Sequence, residues 1–354
     1  MGVLDHAEMV AQAMLADGMV VPLLGAGVNL CGRAADEGFQ HGKNLPNGAE
    51  LAAELAKKVQ RLPPAILQDL LRVSQCVAHE RGWRVLYDTL HQLFDADYPP
   101  TSFHRFLARV PKLIAQLPNP PRATHQLIVT TNYDDVLERA FDAEGEEYDL
   151  VWYVARGDHT GSFAHRTPDG TTQVIEDPEE YVKPLSLRRR TVILKIHGAV
   201  LRTPSDNGDA DVLPSGEHDS YVITEDNYID YLTRTDIRKL IPKGLLAVLR
   251  MSSILFVGYS MRDWNLRAIF HRIWQEEQLG YRSWAIRKPL DPLPPEKQSD
   301  PEALELHRQW KMEQDLEESF WSARGVKIFD ADLAVYCRAL EQVADRMVGA
   351  PAAQ

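Results

Sequence analysis

The sequence predicts an α/β fold built on a doubly wound sheet of six parallel strands. Most of six short apolar runs lack the polar alternation of half-exposed strands, and such runs are typical of parallel strands covered on both faces. Amphipathic helical patterns separate these runs, and alternation of strands and helices favours a parallel sheet of the Rossmann-like type. The runs are residues 19–24, 126–131, 191–196, 253–258, 282–286 and 325–329.

The segments between these strands predict the rest of the architecture. Residues 1–18 have the pattern of a short amphipathic helix before the first strand. Residues 45–118 contain several helical patterns and no convincing strand, so we expect a helical insertion subdomain there. Residues 155–220 are rich in Gly, Pro, Asp and Ser and predict a loop-rich, irregular region. We therefore expect one domain over residues 1–354 that carries these two additions.

Composition limits the classes of function. The 354-residue chain has 39 basic and 51 acidic residues, a net charge of −12, and its only tight basic cluster is 188–190. Direct nucleic-acid binding is therefore not expected. The cysteines Cys31, Cys76 and Cys337 form no C-x-x-C pair, so we expect no zinc ribbon and no metal. Because no apolar run approaches the roughly 20 residues that span a bilayer, we expect a cytoplasmic protein without a membrane segment.

Small and polar residues follow four of the predicted strands. These are the loop Gly25–Gly27, the stretch "TTNYDD" around Asn132, His197 with the glycine after it, and the stretch "VGYSMRD" around Ser260. Each has a simple structural alternative: a tight turn, an asparagine or aspartate that caps a helix, or a hydrogen-bonded histidine at a strand end. Since ligands bind at the carboxyl ends of parallel strands, the four together predict one ligand cleft.

The order of these motifs resembles that of the sirtuin (silent information regulator) family. "TTNYD", "LKIHG" and "LFVGYSMRDWNLR" resemble most closely its prokaryotic sirtuin-like branch, whose members commonly deplete NAD in anti-phage defence. The resemblance spans residues 19–270 and leaves residues 45–118 unmatched. It implies the doubly wound fold and an NAD site, with NAD as the substrate.

The resemblance also implies roles for individual residues. Asn132 would orient the nicotinamide ribose or an attacking water, and His197 would act as a base on a ribose hydroxyl. An imidazole suits that role because its reference pKa of about 6.5 lies near neutrality. The glycine loop would cradle the pyrophosphate and Asp134 would contact the carboxamide. The full set of implied NAD-binding residues is Gly25, Ala26, Gly27, Asn29, Thr131, Asp134, Gly258, Ser260 and Asp263.

Two departures from protein-deacylating sirtuins favour hydrolysis. The chain lacks the two C-x-x-C pairs of their zinc module and the Pro-Asp-Phe-Arg stretch after the glycine loop. We therefore expect water to replace the acyl-lysine, which makes the protein an NAD+ glycohydrolase that releases ADP-ribose and nicotinamide. The alternatives are a zinc-free deacylase, a non-enzymatic NAD or ADP-ribose-binding module, and an ADP-ribosyltransferase.

The resemblance further implies control by assembly. We expect a homo-oligomer, and the partners that the family suggests are a translocase-type ATPase or an Argonaute-like protein. The helices of residues 45–118 and the charged helix of residues 302–322 are the candidate contact surfaces. For each of these, a plain solvated amphipathic helix is the alternative.

Overall fold

A computed structural model describes residues 1–34, 36–181, 185–201, 219–233, 241–261, 264–274, 282–294 and 298–349. Within these ranges, nine strands form one mostly parallel sheet, in the order β11-β10-β9-β1-β2-β6-β3-β4-β5, and two form a small ribbon, β7-β8. The strands are β1 Val20–Leu24, β2 Leu127–Thr130, β3 Tyr148–Tyr153, β4 Phe163–Arg166, β5 Thr172–Ile175, β6 Thr191–Lys195, β7 Gly198–Ala199, β8 Ser220–Tyr221, β9 Ser253–Val257, β10 Ser283–Arg287 and β11 Val326–Asp330.

The α/β class and the six predicted strands are confirmed, but the predicted size of the sheet is wrong. Counted over the described residues, the sheet has nine strands and not six. The strand β3 pairs parallel with β6. The strands β4 and β5 extend the sheet beyond β3 by antiparallel pairing, and both lie within residues 155–220, which were expected to be irregular. These strands carry polar residues that interrupt the apolar pattern. Asp149 on β3 is buried because His165 on β4 (Nε2 to Oδ1, 3.0 Å) and Arg190 (Nη2 to Oδ1, 2.9 Å) both bond it.

Helices cover both faces of this sheet. They are α1 Val3–Ala11, α2 Gly48–Ala56, α3 Leu70–Arg81, α4 Trp83–Phe94, α5 Ser102–Ala115, α6 Val136–Glu144, α7 Glu225–Thr233, α8 Lys243–Met251, α9 Trp264–Trp274, α10 Pro301–Ser322 and α11 Leu333–Met347. None of the described helices is both long enough and apolar enough to cross a bilayer.

Successive residues of a central strand point to opposite cores. On β9, Leu255 and Val257 pack in the core that contains residues of α1, α5, α6 and α11, whereas Ile254 and Phe256 pack in the core that contains residues of α7, α8 and α9. Alternation between two apolar layers requires apolar residues at every strand position. The doubly wound arrangement is therefore the physical reason that the predicted strands read as unbroken apolar runs.

A third apolar core lies among α2, α3 and α4. Residues such as Leu51, Val73 and Leu90 form its interior, and Val136 at the start of α6 and Tyr221 on β8 join it. These two residues lie close to the carboxyl ends of the strands. The third core therefore fixes α2, α3 and α4 over that edge of the sheet, whereas α5 packs in the first core.

Candidate functional site

A cleft of about 640 Å³ opens at the carboxyl ends of β1, β2, β6 and β9. Its volume is within the roughly 300–1,000 Å³ common for small-molecule sites. The structure brings together nine of the residues predicted from sequence, while Gly25 lies buried behind the wall and Asp263 lies outside the described residues. The nine are Ala26, Gly27, Asn29, Thr131, Asn132, Asp134, His197, Gly258 and Ser260.

The glycine loop after β1 packs directly on the loop after β9. Its Gly25 amide donates to the Val257 carbonyl (2.9 Å) and its Gly27 amide donates to the Gly258 carbonyl (2.8 Å). A Cβ on Gly27 would lie 2.8 Å from that same carbonyl oxygen, closer than real Cβ contacts come. The glycines therefore allow two backbones to touch, and the Gly25 and Gly27 amides are already bonded within the protein.

Asn132 joins the glycine loop to the loop after β2. Its Nδ2 donates to the Gly25 carbonyl at 3.3 Å, and its own amide is held by the Thr130 hydroxyl at 3.0 Å. The N-cap residue of α6 is Asp135, so Asn132 is not the helix cap that the simple structural alternative proposed. Among the described residues, none donates to the Asn132 Oδ1, although the side chain is 9% exposed and lines the cleft. An acceptor that can orient a hydroxyl or a water is therefore available there.

Asn29 and Asp134 form a buried pair in the cleft wall. The Asn29 Nδ2 donates to the Asp134 Oδ2 at 3.0 Å, and the side chains are 8% and 5% exposed. The Asn29 Oδ1 is also buried and has no hydrogen-bond partner within the described part of the chain. A buried acceptor without a hydrogen bond lowers the stability of the fold by about 1–3 kcal/mol. This part of the cleft wall is therefore polar and has an acceptor to offer to a ligand.

A buried ion pair supports the loop that carries Asp134. Lys195, at the end of β6, lies 2.6 Å from the Glu138 carboxylate on α6 and also donates to the Asp134 carbonyl. Both side chains are at most 4% exposed. Burial raises the pKa of Glu138. Because a buried charge is tolerated only with a partner, the pair fixes α6 and its preceding loop against β6.

His197 lies at the base of the cleft between two tyrosine rings. The side chain is 4% exposed, and its ring meets those of Tyr228 (5.2 Å between centroids) and Tyr231 (5.6 Å) edge to face. Its Nδ1 shares a hydrogen bond with the Tyr228 hydroxyl at 3.2 Å, whereas its buried Nε2 has no partner among the described residues. Burial lowers the pKa of His197 to about 3, so the imidazole is neutral at neutral pH.

Sequence reasoning missed the opposite wall of the cleft. It is formed by the beginnings of two helices that precede β2: Asn47, Gly48 and Ala49 at the start of α2, and Asp69 and Leu71 around the start of α3. Since no motif in residues 45–118 matches a known pattern, only the packing of the third core reveals this placement.

Three tyrosines of the cleft were also missed. Tyr259 bonds the Thr131 hydroxyl at 3.0 Å, while Tyr133 and Tyr228 line the cavity beside Asn132 and His197. Tyrosines at such positions look like ordinary core residues in a sequence. The "NYD" and "GYS" contexts of Tyr133 and Tyr259 were the available signal.

Comparison with known proteins agrees with the predicted family. The model of the SIR2-like domain family matches residues 126–314, which is 189 of the 354 residues. This range includes the Asn132, His197 and Ser260 segments and implies binding or use of NAD. No curated protein shows significant sequence similarity to the chain. A family match over more than half of the chain, on a mostly parallel α/β sheet, shows that the chain belongs to the SIR2-like domain family.

Proposed function

We propose that the protein is an NAD+ glycohydrolase that converts NAD+ and water to ADP-ribose, nicotinamide and a proton. The main support is the pair of unsatisfied buried atoms in the cleft, Asn29 Oδ1 and His197 Nε2. A dinucleotide offers a carboxamide NH₂ to the first and ribose hydroxyls to the second. The residues present therefore fit the ligand, because binding would remove two desolvation penalties of about 1–3 kcal/mol each.

His197 is suited to remove a proton from a ribose hydroxyl. This role requires the tautomer in which Nδ1 carries the hydrogen and donates to the Tyr228 hydroxyl, because Nε2 then keeps its lone pair. The low pKa that burial causes keeps the ring uncharged. An uncharged imidazole does not repel the positively charged nicotinamide ring and offers Nε2 as an acceptor to the ribose hydroxyl, while the lowered pKa also makes it a weaker base than a free imidazole.

Asn132 is suited to place the attacking water or the ribose. Its Nδ2 is held by the Gly25 carbonyl, so its Oδ1 has a fixed direction. Breaking the nicotinamide bond leaves positive character on the ribose carbon that the water attacks. An amide oxygen can position this water by accepting its hydrogen bond, without transferring a proton. We assign the water to this oxygen.

The diphosphate fits between the glycine loop and the insertion. Ala26, Gly27 and Ser260 line one side of the cleft, and Gly48 and Ala49 in the first turn of α2 line the other. The beginning of a helix favours negative charge through its free amides and its dipole. This placement gives the helical insertion a direct part in substrate binding.

The test is release of nicotinamide from NAD+ by the purified protein without any acylated peptide. We expect His197→Ala to lower kcat by about 10²–10⁴-fold, the usual range for general acid–base groups, and Asn132→Ala to lower it by about 10²-fold through lost positioning of the water. The matched controls are His79→Ala and Asn119→Ala, at exposed positions outside the cleft, which should keep wild-type activity.

Three outcomes would replace the proposal. Release that strictly requires an acylated peptide would show a deacylase, and transfer of ADP-ribose to a protein would show a transferase. Tight NAD binding in calorimetry without turnover, alone or with a partner, would show a binding module.

We further propose that NAD depletion serves anti-phage defence in the cytoplasm, within a homo-oligomer or with a translocase-type ATPase or an Argonaute-like partner. The support is the resemblance to the prokaryotic sirtuin-like branch, together with α10, which exposes Leu306, Trp310, Met312 and Leu316. Infected cells that carry the wild-type gene should lose NAD, and cells with His197→Ala should not. An equal NAD level in both would refute this role.

A further inference from the structure

Two thiols and a hydroxyl from three distant segments meet behind the glycine loop, outside the cleft. Cys31 ends the short helical turn Ala26–Leu30 that contains the second half of the glycine loop, Cys337 lies on α11, and Ser102 begins α5. The Cys31 Sγ lies 3.3 Å from the Ser102 Oγ, and the thiols of Cys31 and Cys337 hydrogen-bond each other. The fold therefore pairs two cysteines from opposite ends of the chain.

The surroundings of Cys31 favour its thiolate. The Cys337 thiol, the Ser102 hydroxyl and the Phe103 backbone amide all hydrogen-bond its sulfur, the last two from the first turn of α5. These bonds lower the pKa of Cys31 to about 7, although burial and the Asp332 carboxylate oppose them. The beginnings of helices lower the pKa of thiols in the same way. The bond to Cys31 and burial raise the pKa of Cys337, so Cys337 keeps its proton.

The two sulfurs also differ in access. Cys31 is 8% exposed, whereas Cys337 is fully buried, so a small oxidant meets Cys31 first. Cysteines that sense oxidants combine a low pKa with a second thiol that resolves the oxidised sulfur. Cys31 therefore has the properties of the attacking residue, and Cys337 has those of the resolving residue.

We propose that Cys31 and Cys337 form a peroxide-sensitive dithiol whose disulfide distorts the glycine loop and lowers the activity of the cleft. The Cys31 thiolate attacks one oxygen of hydrogen peroxide and becomes a sulfenic acid, and the displaced hydroxide leaves as water with the proton that Cys31 released. The Cys337 thiol then attacks the Cys31 sulfur, and its proton leaves with the hydroxyl group as a second water. Two thiols and one peroxide thus give one disulfide and two waters, and two electrons pass from the sulfurs to the peroxide.

The new bond moves the glycine loop because it is shorter than the contact it replaces. The sulfurs of a disulfide lie about 2.05 Å apart, closer than sulfurs that share a hydrogen bond. The helix α11 has 15 residues and packs in the first core, whereas the turn Ala26–Leu30 has 5. The shorter element therefore moves, and Asn29 within it lines the cleft. A displacement of about 1 Å can lower a rate by about 10²-fold. The effect on activity rests on the proposed function.

The first experiment detects the bond itself. The reduced full-length protein is treated with hydrogen peroxide, its remaining thiols are alkylated, and it is digested without reduction for mass spectrometry. We expect peptides joined through Cys31 and Cys337 in the wild type and in Cys76→Ala, the matched control on α3, and dithiothreitol should separate them. No oxidation of Cys31, or its conversion to the sulfinic acid without this disulfide, would overturn the inference.

The second experiment measures the consequence for the cleft. Oxidation should lower kcat/KM for nicotinamide release from NAD+ by about 10–10²-fold in the wild type and in Cys76→Ala, and dithiothreitol should restore it. Cys31→Ala protein should keep its own activity under the same treatment. The inference is overturned if the wild type forms the disulfide and keeps its activity, or if folded Cys31→Ala protein loses activity equally. The wild-type and Cys76→Ala series stands if Cys31→Ala does not fold.

Hydrogen exchange separates this inference from the proposed reaction, because it needs no ligand. In the reduced protein the Val28 amide donates to the Gly25 carbonyl (3.0 Å) and the Cys31 amide donates to the Val28 carbonyl (3.2 Å). Amides of residues 25–31 should exchange faster in the oxidised wild type than in the reduced wild type. If the wild type cleaves no NAD+ but shows the disulfide and this faster exchange, the reaction is wrong and the dithiol stands. Unchanged exchange would overturn the inference.

Discussion

The contact between the two glycine loops predicts a graded loss of stability. Gly258 has a φ of +76°, and a Cβ there would lie 2.2 Å from the Val28 nitrogen. A Cβ on Gly27 would meet the Gly258 carbonyl oxygen at 2.8 Å, without a left-handed φ. Gly170 is the complementary case, since its φ is +87° and nothing lies within 4 Å of its Cβ position. The three glycines separate backbone strain from steric overlap.

The expected magnitudes follow from these two costs. Gly170→Ala should lower the free energy of unfolding by about 1–2 kcal/mol, the cost of a left-handed residue with a side chain. Gly27→Ala should cost about 1–3 kcal/mol, as overpacking usually does. Gly258→Ala combines both effects against rigid backbone, so we expect about 3–5 kcal/mol.

Urea unfolding at pH 7 measures these differences, and calorimetry with NAD measures their effect on the cleft. We expect Gly27→Ala and Gly258→Ala to weaken NAD binding as well, because the overlap pushes apart the loops that line the site. Gly170→Ala should bind NAD like the wild type. The reasoning is refuted if Gly258→Ala costs no more than Gly170→Ala, since backbone strain alone would then explain both.

Two further predictions concern the histidine of the cleft. Tyr228→Phe should lower kcat about tenfold with little change in KM, because a hydrogen bond of about 1.4 kcal/mol to His197 is lost. Tyr231 packs its ring on the same imidazole, and Tyr231→Phe should change kcat little. Equal losses of kcat for the two variants in nicotinamide-release kinetics would contradict this prediction. Burial lowers the folded-state pKa of His197 to about 3. As the pH falls below about 6.5, only the unfolded chain takes up a proton at this residue. The contribution of His197 to the free energy of unfolding is therefore complete above about pH 6.5 and declines toward pH 3. Between pH 7 and pH 5, His197 should account for a loss of about 2 kcal/mol in the free energy of unfolding. His197→Gln should remove this loss from the pH dependence measured by urea unfolding. An unchanged pH dependence in the variant would contradict the lowered pKa.

The strands found from sequence are those that are buried mainly through apolar side chains. The runs at β1, β2, β6, β9, β10 and β11 contact two apolar layers, and the buried Lys195 stands at the very end of β6, where it does not interrupt the run. The missed strands β3 and β4 contain Asp149 and His165, which are buried and hydrogen-bonded to each other. A sequence shows a polar residue and not its distant partner, so such strands look like loops.

The residues of the candidate site also fall into a part that the sequence predicts and a part that it does not. Local motifs predicted the residues at the strand ends, because the topology of a parallel sheet places those ends together. The partners that define their chemistry come from distant segments, as the Tyr228 hydroxyl at His197 and the start of α2 opposite Gly27 show. Their placement depends on how the third core packs, which no local pattern encodes.

The position of β1 has a consequence for synthesis of the protein. This first strand lies between β2 and β9, and β9 begins only at Ser253. A chain emerging from the ribosome therefore cannot complete the centre of its sheet, or bring Gly27 against Gly258, until more than two thirds of it has been made. Translation intermediates shorter than that lack one side of the cleft, so under the proposed function we expect them to consume no NAD while the protein is being made.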